Sequence, residues 1–254
     1  MTPTAYQPSK SLPAKLARKM TPYLSRRMIS FKLDRPVISF TFDDCPETVL
    51  SEAVPRLEDE GWRSSIYVAC GLFGVTNHHG KMADPEAIKA AHKRGHEIGE
   101  HSYSHIDASG VSLDDFISDL ENNQSGLIDL GIGSSRTFAY PFGQATPAVK
   151  SALENRFEGL RGITPGVHWT RADLNQIKSY PLYENTVDVV AGAIESLKQQ
   201  PGWLTLFTHD VRTNPSSWGC TPDNMKKIIA CARDSGALVL PVDQAIDYLK
   251  GHTS

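Results

Sequence analysis

The sequence predicts an α/β protein with a parallel sheet. From residue 37 onward, short apolar strands alternate with helical patterns about seven times. Such alternation is typical of a parallel sheet that is either closed as a barrel or open and doubly wound. Seven strands within about 215 residues favour the barrel. The chain of 254 residues is also long enough to bury a full core.

The predicted elements follow one another closely. The strands are predicted over residues 37–42, 65–69, 96–99, 136–140, 159–163, 203–208 and 237–240. The helices of this region are predicted over residues 47–60, 85–94, 112–130, 146–156, 186–199, 221–235 and 242–249. Glycines stand where four of these helices would end, as C-terminal caps: Gly61, Gly95, Gly131 and Gly236.

Residues 1–35 form a basic N-terminal extension, which we separate from the domain over residues 36–254. The extension holds eight Lys or Arg and one acid, a net charge of +7, whereas the rest holds 18 basic and 28 acidic residues. Its apolar residues recur every four positions and Pro22 interrupts them, which predicts two short amphipathic helices over residues 13–20 and 22–29. The extension would lie either on an anionic membrane or on the acidic body.

Composition places the chain among ordinary soluble globular proteins, with 40% apolar and 22% charged residues. The four cysteines lie far apart without a CxxC pair, which indicates free thiols in a reducing compartment. No apolar run approaches the roughly 18 residues of a spanning helix, and no signal peptide is visible. We therefore expect a cytoplasmic protein, peripheral to the inner membrane face if the extension binds there, and no nucleic-acid partner.

The first candidate site lies at the end of the strand over residues 37–42. There the alternating apolar pattern stops at two adjacent carboxylates, Asp43 and Asp44. Adjacent acids repel each other and gain nothing from a core. A cation together with a reaction that needs a base is a good reason to place them there.

The second candidate site follows the strand over residues 96–99. His101 and His105 are four residues apart, so that both rings can face one cation from a single turn or a tight loop. Two imidazoles and one carboxylate suit Zn²⁺ or a similar divalent ion. Such a pair alone is weak evidence, but the next helical pattern starts only near Ser112, so two surface histidines on a helix fit poorly.

Two further turns carry weaker signals. Tyr140-Pro141-Phe142-Gly143 ends a strand in a turn that could expose the Phe142 or Gly143 amide as an oxyanion donor, although a plain turn is the default interpretation. His209 follows the strand over residues 203–208 and could act as an acid near neutral pH. In a parallel barrel all strand ends lie on one face, so the four groups are predicted to converge.

In this order, the motifs Thr-Phe-Asp-Asp, His-Ser-Tyr-Ser-His, Tyr-Pro-Phe-Gly and Leu-Phe-Thr-His resemble those of the polysaccharide deacetylase family. These are the NodB-homology enzymes of carbohydrate esterase family 4, and the resemblance covers roughly residues 37–247. It implies a distorted (β/α)₇ barrel and metal-dependent removal of an N-acetyl group from a sugar. It also implies these roles: Asp43 as catalytic base; Asp44, His101 and His105 as metal ligands; the Phe142 amide as oxyanion donor; His209 as general acid.

The sequence departs from the family pattern at three places. Cys45 replaces the usual Gly, so the loop differs or holds a thiol near the metal. Ala139 replaces an Arg that in many members orients the base, and Arg136 or Arg161 could substitute for it. The Asp that partners the acidic His is indistinct, with Asp173 as the candidate. Three aromatic residues are predicted to bind substrate: Tyr140, Trp169 and Trp218.

The expected chemistry is hydrolysis of an amide. Zn²⁺ is the expected ion, with Co²⁺, Ni²⁺ or Mn²⁺ as alternatives, and it would lower the pKa of a bound water toward ~7–9. The expected substrate is an N-acetylated oligo- or polysaccharide or its cytoplasmic precursor, for example a lipid-linked or nucleotide-linked sugar. Two alternatives stay open: a deformylase or amidase acting on a lipid-linked or non-sugar amide, and a sugar-binding module with a decayed site. The sequence does not indicate the oligomeric state.

Overall fold

The computed structural model describes residues 11–253. Its α-helices are α1 (Leu12–Met20), α2 (Val54–Asp59), α3 (Pro85–Lys93), α4 (Leu113–Asp129), α5 (Pro147–Leu153), α6 (Val187–Ser196), α7 (Pro222–Asp234) and α8 (Val242–Lys250). Its strands are β1 (Met28–Ser30), β2 (Val37–Asp43), β3 (Ser65–Val68), β4 (Thr76–Asn77), β5 (Gly80–Lys81), β6 (Glu97–Glu100), β7 (Thr137–Ala139), β8 (Gly159–Arg161), β9 (Arg171–Asp173), β10 (Tyr180–Pro181), β11 (Trp203–Thr208) and β12 (Leu238–Val239). A π-helical turn, Val49–Ala53, leads into α2.

The main sheet is parallel and has the strand order β10-β11-β2-β3-β6-β7-β8. All seven residues of β2, its central strand, are buried. Strands covered on both faces in this way read as nearly continuous apolar runs. Because every pair in this sheet is parallel, the carboxyl ends of its strands lie at one edge, where the four polar motifs begin.

The sheet curls toward a barrel, but its two edge strands, β8 and β10, do not pair with each other. The segment over residues 174–179 spans the gap between β8 and β10: Leu160 donates its amide to the Leu174 carbonyl at 2.8 Å, and Gly162 to the Ile177 carbonyl at 2.9 Å. This irregular segment is the distortion of the barrel. At the centre, β12 pairs with Val37 and Ile38 of β2, whereas β3 pairs with the other end of the same strand.

The N-terminal extension departs from its predicted structure. The helix predicted over residues 22–29 is wrong: α1 ends in a single 3₁₀ turn, Thr21–Tyr23, and β1 follows, antiparallel to β9. Pro22 cannot continue the α-helical hydrogen bonding, and the residues after the turn find backbone partners on β9 instead. Phe31 is buried in the same cluster as Trp203. The division of the chain at residue 35 stays a prediction.

Helix ends follow the sequence signals closely. All four predicted glycine caps are confirmed, with φ between 69° and 94° at Gly61, Gly95, Gly131 and Gly236. At the other ends, the hydroxyls of Ser112, Thr146 and Thr221 accept the amide of the residue three positions later. Strands β1, β4, β5, β9 and β10 were not predicted, because two or three residues are too few to show a periodicity.

Two remaining features bear on the sequence predictions. All four cysteines are free, with Cys45 and Cys220 buried. Among residues 11–253, no helix has the length and apolar character that crossing a bilayer requires.

Candidate active site

A cavity of about 520 Å³ opens at the carboxyl ends of the central strands. The structure brings most of the predicted site residues to its wall: Asp43, Asp44, His101, His105, Tyr140, Phe142, His209 and Trp218. Trp169 is not among the residues that line it. Its half-buried ring packs against the core near Gly202, and its role in substrate binding stays a prediction. Apolar walls with a few polar groups at one end are typical of a small-ligand site.

The backbone turns sharply where β2 ends. Asp44 and Cys45 both adopt left-handed conformations, with φ of 61° and 55°, and the Cys45 amide donates to the Asp43 carbonyl at 2.6 Å. Side chains other than glycine rarely adopt this region, at a cost of roughly 1–2 kcal/mol per residue. The glycine usual in the family at the position of Cys45 would avoid that cost. Here the thiol lies in the apolar core, where burial raises its pKa.

Arg161 takes the place of the missing base-orienting arginine. From the end of β8 its guanidinium donates to Asp43 Oδ1, and both side chains are buried. The rings of Tyr67 and Phe207 flank the guanidinium carbon at 5.3 Å and 5.0 Å. Burial alone would raise the pKa of Asp43, but Arg161, with His101 and His209, outweighs it and lowers that pKa.

Arg136, the other candidate, lies elsewhere. Its guanidinium binds Glu158 at 2.6 Å and Asp247 at 2.8 Å, so it has no part in orienting the base.

Asp44 lies opposite two histidines in a geometry that suits a cation. Its buried Oδ1 has no hydrogen-bond partner among the described residues. The Nε2 atoms of His101 and His105 lie 3.8 Å and 3.6 Å from it, too far for hydrogen bonds. One possible ligand atom from each of the three residues lies within 4.8 Å of the other two. A buried carboxylate oxygen without a hydrogen-bond partner, facing two imidazoles, fits a divalent ion, and the nitrogen and oxygen donors suit Zn²⁺.

The ring of His101 is oriented by a hydrogen bond to the backbone. Its Nδ1 lies 2.8 Å from the Ala139 carbonyl oxygen, so Nδ1 carries the proton and Nε2 faces the cavity as an acceptor. Burial, with the neighbouring His105, lowers the pKa of His101 to about 4, although Asp43 and Asp44 oppose that shift. The imidazole is therefore neutral near pH 7, as a metal ligand must be.

A second group of donors, Asp44, His79 and His209, also falls within 4.8 Å. The rings of His79 and His209, however, stack only 10° from parallel with centroids 4.4 Å apart. A ring nitrogen's lone pair lies in the plane of its ring, so two stacked rings cannot both aim at one ion. The rings of His101 and His105 are inclined by 59° and have no such restriction.

The turn after β7 narrows the choice of oxyanion donor. The Gly143 amide donates to the Tyr140 carbonyl at 2.9 Å, so the Phe142 amide remains the candidate. Phe142 adopts φ 56°, and its ring packs against His105 at 4.3 Å. A side chain at Gly143 would collide with Ile163, because an added Cβ would lie 2.2 Å from it.

His209 lines the same cavity without the predicted carboxylate partner. Its Nδ1 is 3.2 Å from the Trp218 carbonyl oxygen. The prediction that Asp173 partners His209 is wrong, since Asp173 binds the amide of Arg27 at 2.8 Å and Lys150 Nζ at 3.3 Å. Burial, followed by the charge of His79, lowers the pKa of His209 to about 4. His209 is therefore neutral near pH 7, so it can pass on a proton that it receives during the reaction but does not carry one beforehand.

The sequence reasoning missed His79. It sits in the β4–β5 hairpin, only 4% exposed, and stacks on His209. Its Nδ1 lies 3.0 Å from Ser216 Oγ and 3.4 Å from Asp210 Oδ1. Burial opposes ionisation of Asp210, but its bonds to His79 and Ser216 lower its pKa to about 2. The adjacent pair His78-His79 before a glycine was the available signal.

Of the two remaining aromatic predictions, Trp218 faces the cavity and its ring meets the edge of His78 at 5.0 Å. Tyr140 lines the cavity but is 1% exposed, and its hydroxyl donates to the Asn175 carbonyl at 3.1 Å. The hydroxyl of Tyr140 is thus engaged by the protein, which leaves little of this side chain for a ligand.

A sequence profile of the polysaccharide deacetylase family matches residues 31–156, which include β2, β6 and β7 with their polar motifs. Over residues 31–156 the chain belongs to the polysaccharide deacetylase family. Membership of this family supports the prediction that the protein is a deacetylase that acts on carbohydrate.

Solved structures of carbohydrate esterase family 4 share the fold of this deacetylase-family chain. The Xyl-CE4 domain of a multidomain xylanase from the hindgut metagenome of Trinervitermes trinervoides superposes with a TM-score of 0.62 at 18% identity, covering 86% of this chain and 92% of that one. A family 4 acetyl xylan esterase from Clostridium thermocellum, in complex with a cobalt ion, gives 0.59 at 20% identity, covering 85% and 92%. A peptidoglycan N-acetylglucosamine deacetylase gives 0.58 at 18% identity, covering 89% and 94%. The predicted distorted (β/α)₇ barrel is confirmed.

Proposed function

We propose that this protein is a metal-dependent hydrolase that removes the acetyl group from an N-acetylated sugar by cleaving its amide bond. One observation carries the proposal. A buried, ionised carboxylate, Asp43, is held by Arg161 in the same cavity as the cluster of Asp44, His101 and His105. A base directly adjacent in sequence to a metal-binding residue is what hydrolysis by an activated water needs.

In this proposal Asp44, His101 and His105 hold the ion, most favourably Zn²⁺, with Co²⁺, Ni²⁺ or Mn²⁺ as alternatives. Such an ion, when bound, polarises the acyl oxygen and acidifies water. The cobalt ion in the similar acetyl xylan esterase supports a divalent ion at a site of this fold.

The protein's own groups divide the remaining work. Asp43 takes a proton from the attacking water, and Arg161 keeps that carboxylate ionised and oriented. The Phe142 amide donates to the oxygen that becomes negative in the transition state. His209 passes a proton to the leaving amine, and the stacked ring of His79 fixes its orientation.

We propose an N-acetylated oligosaccharide or a lipid-linked or nucleotide-linked sugar precursor as the substrate. The similar peptidoglycan N-acetylglucosamine deacetylase supports the N-acetyl group as the target. The similar acetyl xylan esterase favours a second candidate, removal of an O-acetyl group. Formyl amides and non-sugar amides remain further alternatives for the same site.

Mass spectrometry of acyl loss tests the proposal. Purified protein with added Zn²⁺ or Co²⁺ is incubated with N-acetylated chito-oligosaccharides, an N-acetylated nucleotide sugar, a lipid-linked N-acetyl sugar, acetylated xylan and an N-formyl sugar. We expect a mass loss of one acetyl group from at least one N-acetylated sugar, and none with the matched Asp43→Asn variant. Loss only from acetylated xylan or only from the formyl sugar would replace the proposed substrate class. No turnover of any member with either metal would favour a binding module.

A further inference from the structure

The surface of the N-terminal segment is unusually apolar. Twelve large apolar side chains are exposed among the described residues, and five of them fall within residues 12–24. They are Leu12, Leu16, Met20, Tyr23 and Leu24, between 44% and 80% exposed. We call this set the head face. Leu12, Leu16 and Met20 are four residues apart along α1, so they lie on one side of that helix.

A short helix of this kind gains stability from burying its apolar side. Alpha-helix α1 has nine residues, fewer than the ~12–15 that an isolated helix needs in water. Its three largest apolar side chains contribute almost nothing to the protein core, because they remain between 45% and 80% exposed. An apolar medium outside the protein would supply the missing burial.

Cations accompany the head face. Lys15 and Lys19 are exposed on α1, and its first turn holds no acid. An amphipathic helix with basic residues beside its apolar side is typical of helices that lie in the interface of an anionic bilayer. The charge asymmetry favours the same orientation, since the +7 extension would face the lipid and the −10 body would be repelled from it.

A second cavity, of about 270 Å³, lies at the end of the head face. Pro22 and Met28 line it, together with the cations Arg26, Arg171 and Lys178. Its one carboxylate is Asp173, which Lys150 already binds at 3.3 Å from within the protein, whereas Arg26 is 3.8 Å away. Three cations around one compensated carboxylate leave the cavity positive, as an anion site requires.

A buried histidine holds two of these cations in place. His168 is 3% exposed and lines the same cavity. Its Nδ1 donates to the Arg171 carbonyl at 3.3 Å, and its Nε2 accepts the Lys178 amide at 3.0 Å. The backbones that carry Arg171 and Lys178 are therefore joined through one imidazole, although they are seven residues apart.

We infer that the head face and this cavity together bind the surface of an anionic lipid bilayer, with the cavity taking a lipid phosphate. The head face supplies apolar burial, and Arg26, Arg171 and Lys178 supply charge. Ile163 lines the active-site cavity and the adjacent Thr164 lines the cationic one, so a single loop separates them. Docking in this way would bring the active-site cavity close to the lipid headgroups.

Co-sedimentation of the full chain with vesicles tests the inference without any turnover, so it is independent of the proposed chemistry. We expect binding at low salt to vesicles of equal parts phosphatidylcholine and phosphatidylglycerol, and little binding to phosphatidylcholine alone. The variant Arg171→Ser/Lys178→Ser should bind about thirtyfold more weakly, since each cation near the surface contributes about 1 kcal/mol. The variant Leu12→Ser/Leu16→Ser/Tyr23→Ser should bind at least about tenfold more weakly.

Two controls are matched to these variants. Lys93→Ser/Lys226→Ser removes the same charge from exposed sites on α3 and α7, and Val111→Ser/Ile128→Ser/Val189→Ser removes three exposed apolar side chains that lie outside the head face. Both should bind as the unmodified protein does, and thermal melts verify folding of all variants. Equal losses in the charge control and the cavity variant would overturn the cavity's role. Binding of inorganic phosphate in the cavity without vesicle binding, or no preference for anionic vesicles, would overturn the inference.

Discussion

The two cavities of this molecule differ in whether their charged side chains are buried or exposed. In the active-site cavity the charged groups are buried and fixed: Arg161 is held between two rings against Asp43, and His101 is held by a backbone carbonyl. In the cationic cavity the lining cations are exposed residues: Arg26, Arg171 and Lys178. Buried charges are suited to holding one geometry for chemistry, whereas exposed charges are suited to a reversible contact.

The energetic consequences differ accordingly. Removing one partner of a buried ion pair leaves an uncompensated charge and costs roughly 3–5 kcal/mol. An exposed pair contributes about 0–1 kcal/mol. Substitutions in the active-site cavity should therefore change both stability and chemistry, and substitutions in the cationic cavity should change only association.

The largest effect should come from removing the histidine ligands. The variant His101→Ala/His105→Ala leaves Asp44 as the only member of its donor group, so metal uptake should be abolished. Elemental analysis of protein exposed to Zn²⁺ and then desalted measures this. His252→Ala, at the C-terminal end of the described chain, serves as the control and should keep the full metal content. Stoichiometric metal in the double variant would refute the ligand assignment.

The next effect separates the two adjacent acids. Asp43→Asn removes the proposed base and leaves Asp44 in place, so the rate should fall ~10²–10⁴-fold while the metal is retained. The rate is measured on whichever acyl sugar the panel identifies, and metal content by elemental analysis. Unchanged activity would show that Asp43 is not the base.

Replacing the buried cation should shift a pH profile. In Arg161→Met the pKa of Asp43 rises, because burial still disfavours its ionised form and the compensating guanidinium is gone. Activity requires ionised Asp43, so the acidic limb of the pH–rate profile should move to higher pH. A limb that stays in place would contradict the orienting role of Arg161.

Stability should respond to the same substitution. In the unmodified protein the pKa of Asp43 is lower in the folded than in the unfolded state, so the pair's contribution is present above about pH 4 and is lost as pH falls below it. The stability difference between Arg161→Met and the unmodified protein should therefore be about 3 kcal/mol at pH 7 and shrink in acid. Urea unfolding at both pH values measures it. Arg171→Ser, in the exposed cavity, should differ little from the unmodified protein at either pH.

A smaller effect is expected from His79. In His79→Phe the ring stacked on His209 is kept but the contacts to Ser216 and Asp210 are lost, so His209 should be held less firmly and the rate should fall about tenfold. The comparison with His78→Phe, on the same hairpin, controls for disturbance of the loop. If the two variants have equal rates, His79 has no particular role in positioning His209.

The smallest effect concerns the turn at Cys45. Cys45→Ala and Cys45→Gly both remove the buried thiol, but only glycine relieves the left-handed backbone, so the glycine variant should be more stable by about 1 kcal/mol. At Cys231, within α7, the order should reverse, because glycine disfavours a helix by about 1 kcal/mol relative to alanine. Denaturant unfolding of the four variants measures both differences. Alanine more stable than glycine at both sites would show that the turn is not strained.

The sequence predicted the parts of the site that are local. Strands β2 and β11 carry apolar residues that stop abruptly at polar ones, and β6 runs directly into a histidine motif, so Asp43, His101 and His209 could be found from the pattern alone. The ends of parallel strands then meet by topology. For the same reason seven of the eight strands of the main sheet, counting β12, were predicted nearly at their bounds, and only the short β10 was missed.

The features that could not be predicted depend on contacts between residues that are far apart in the sequence. Arg161 reaches Asp43 only because β8 lies across the curled sheet, and nothing local distinguishes it from Arg136. Asp173 pairs with the N-terminal segment because β9 joins β1, and both strands are too short to predict. His79 is carried by a two-residue hairpin, which has no periodicity to reveal it.

The position of β2 in the sheet also has a consequence for how the chain is made. This strand is synthesised before two of its partners, β11 and β12, which follow more than 160 residues later. Until those residues leave the ribosome, an apolar strand with open hydrogen-bonding edges has only β3 beside it. The nascent chain must therefore keep the segment Val37–Asp43 from aggregating until β11 and β12 have been translated.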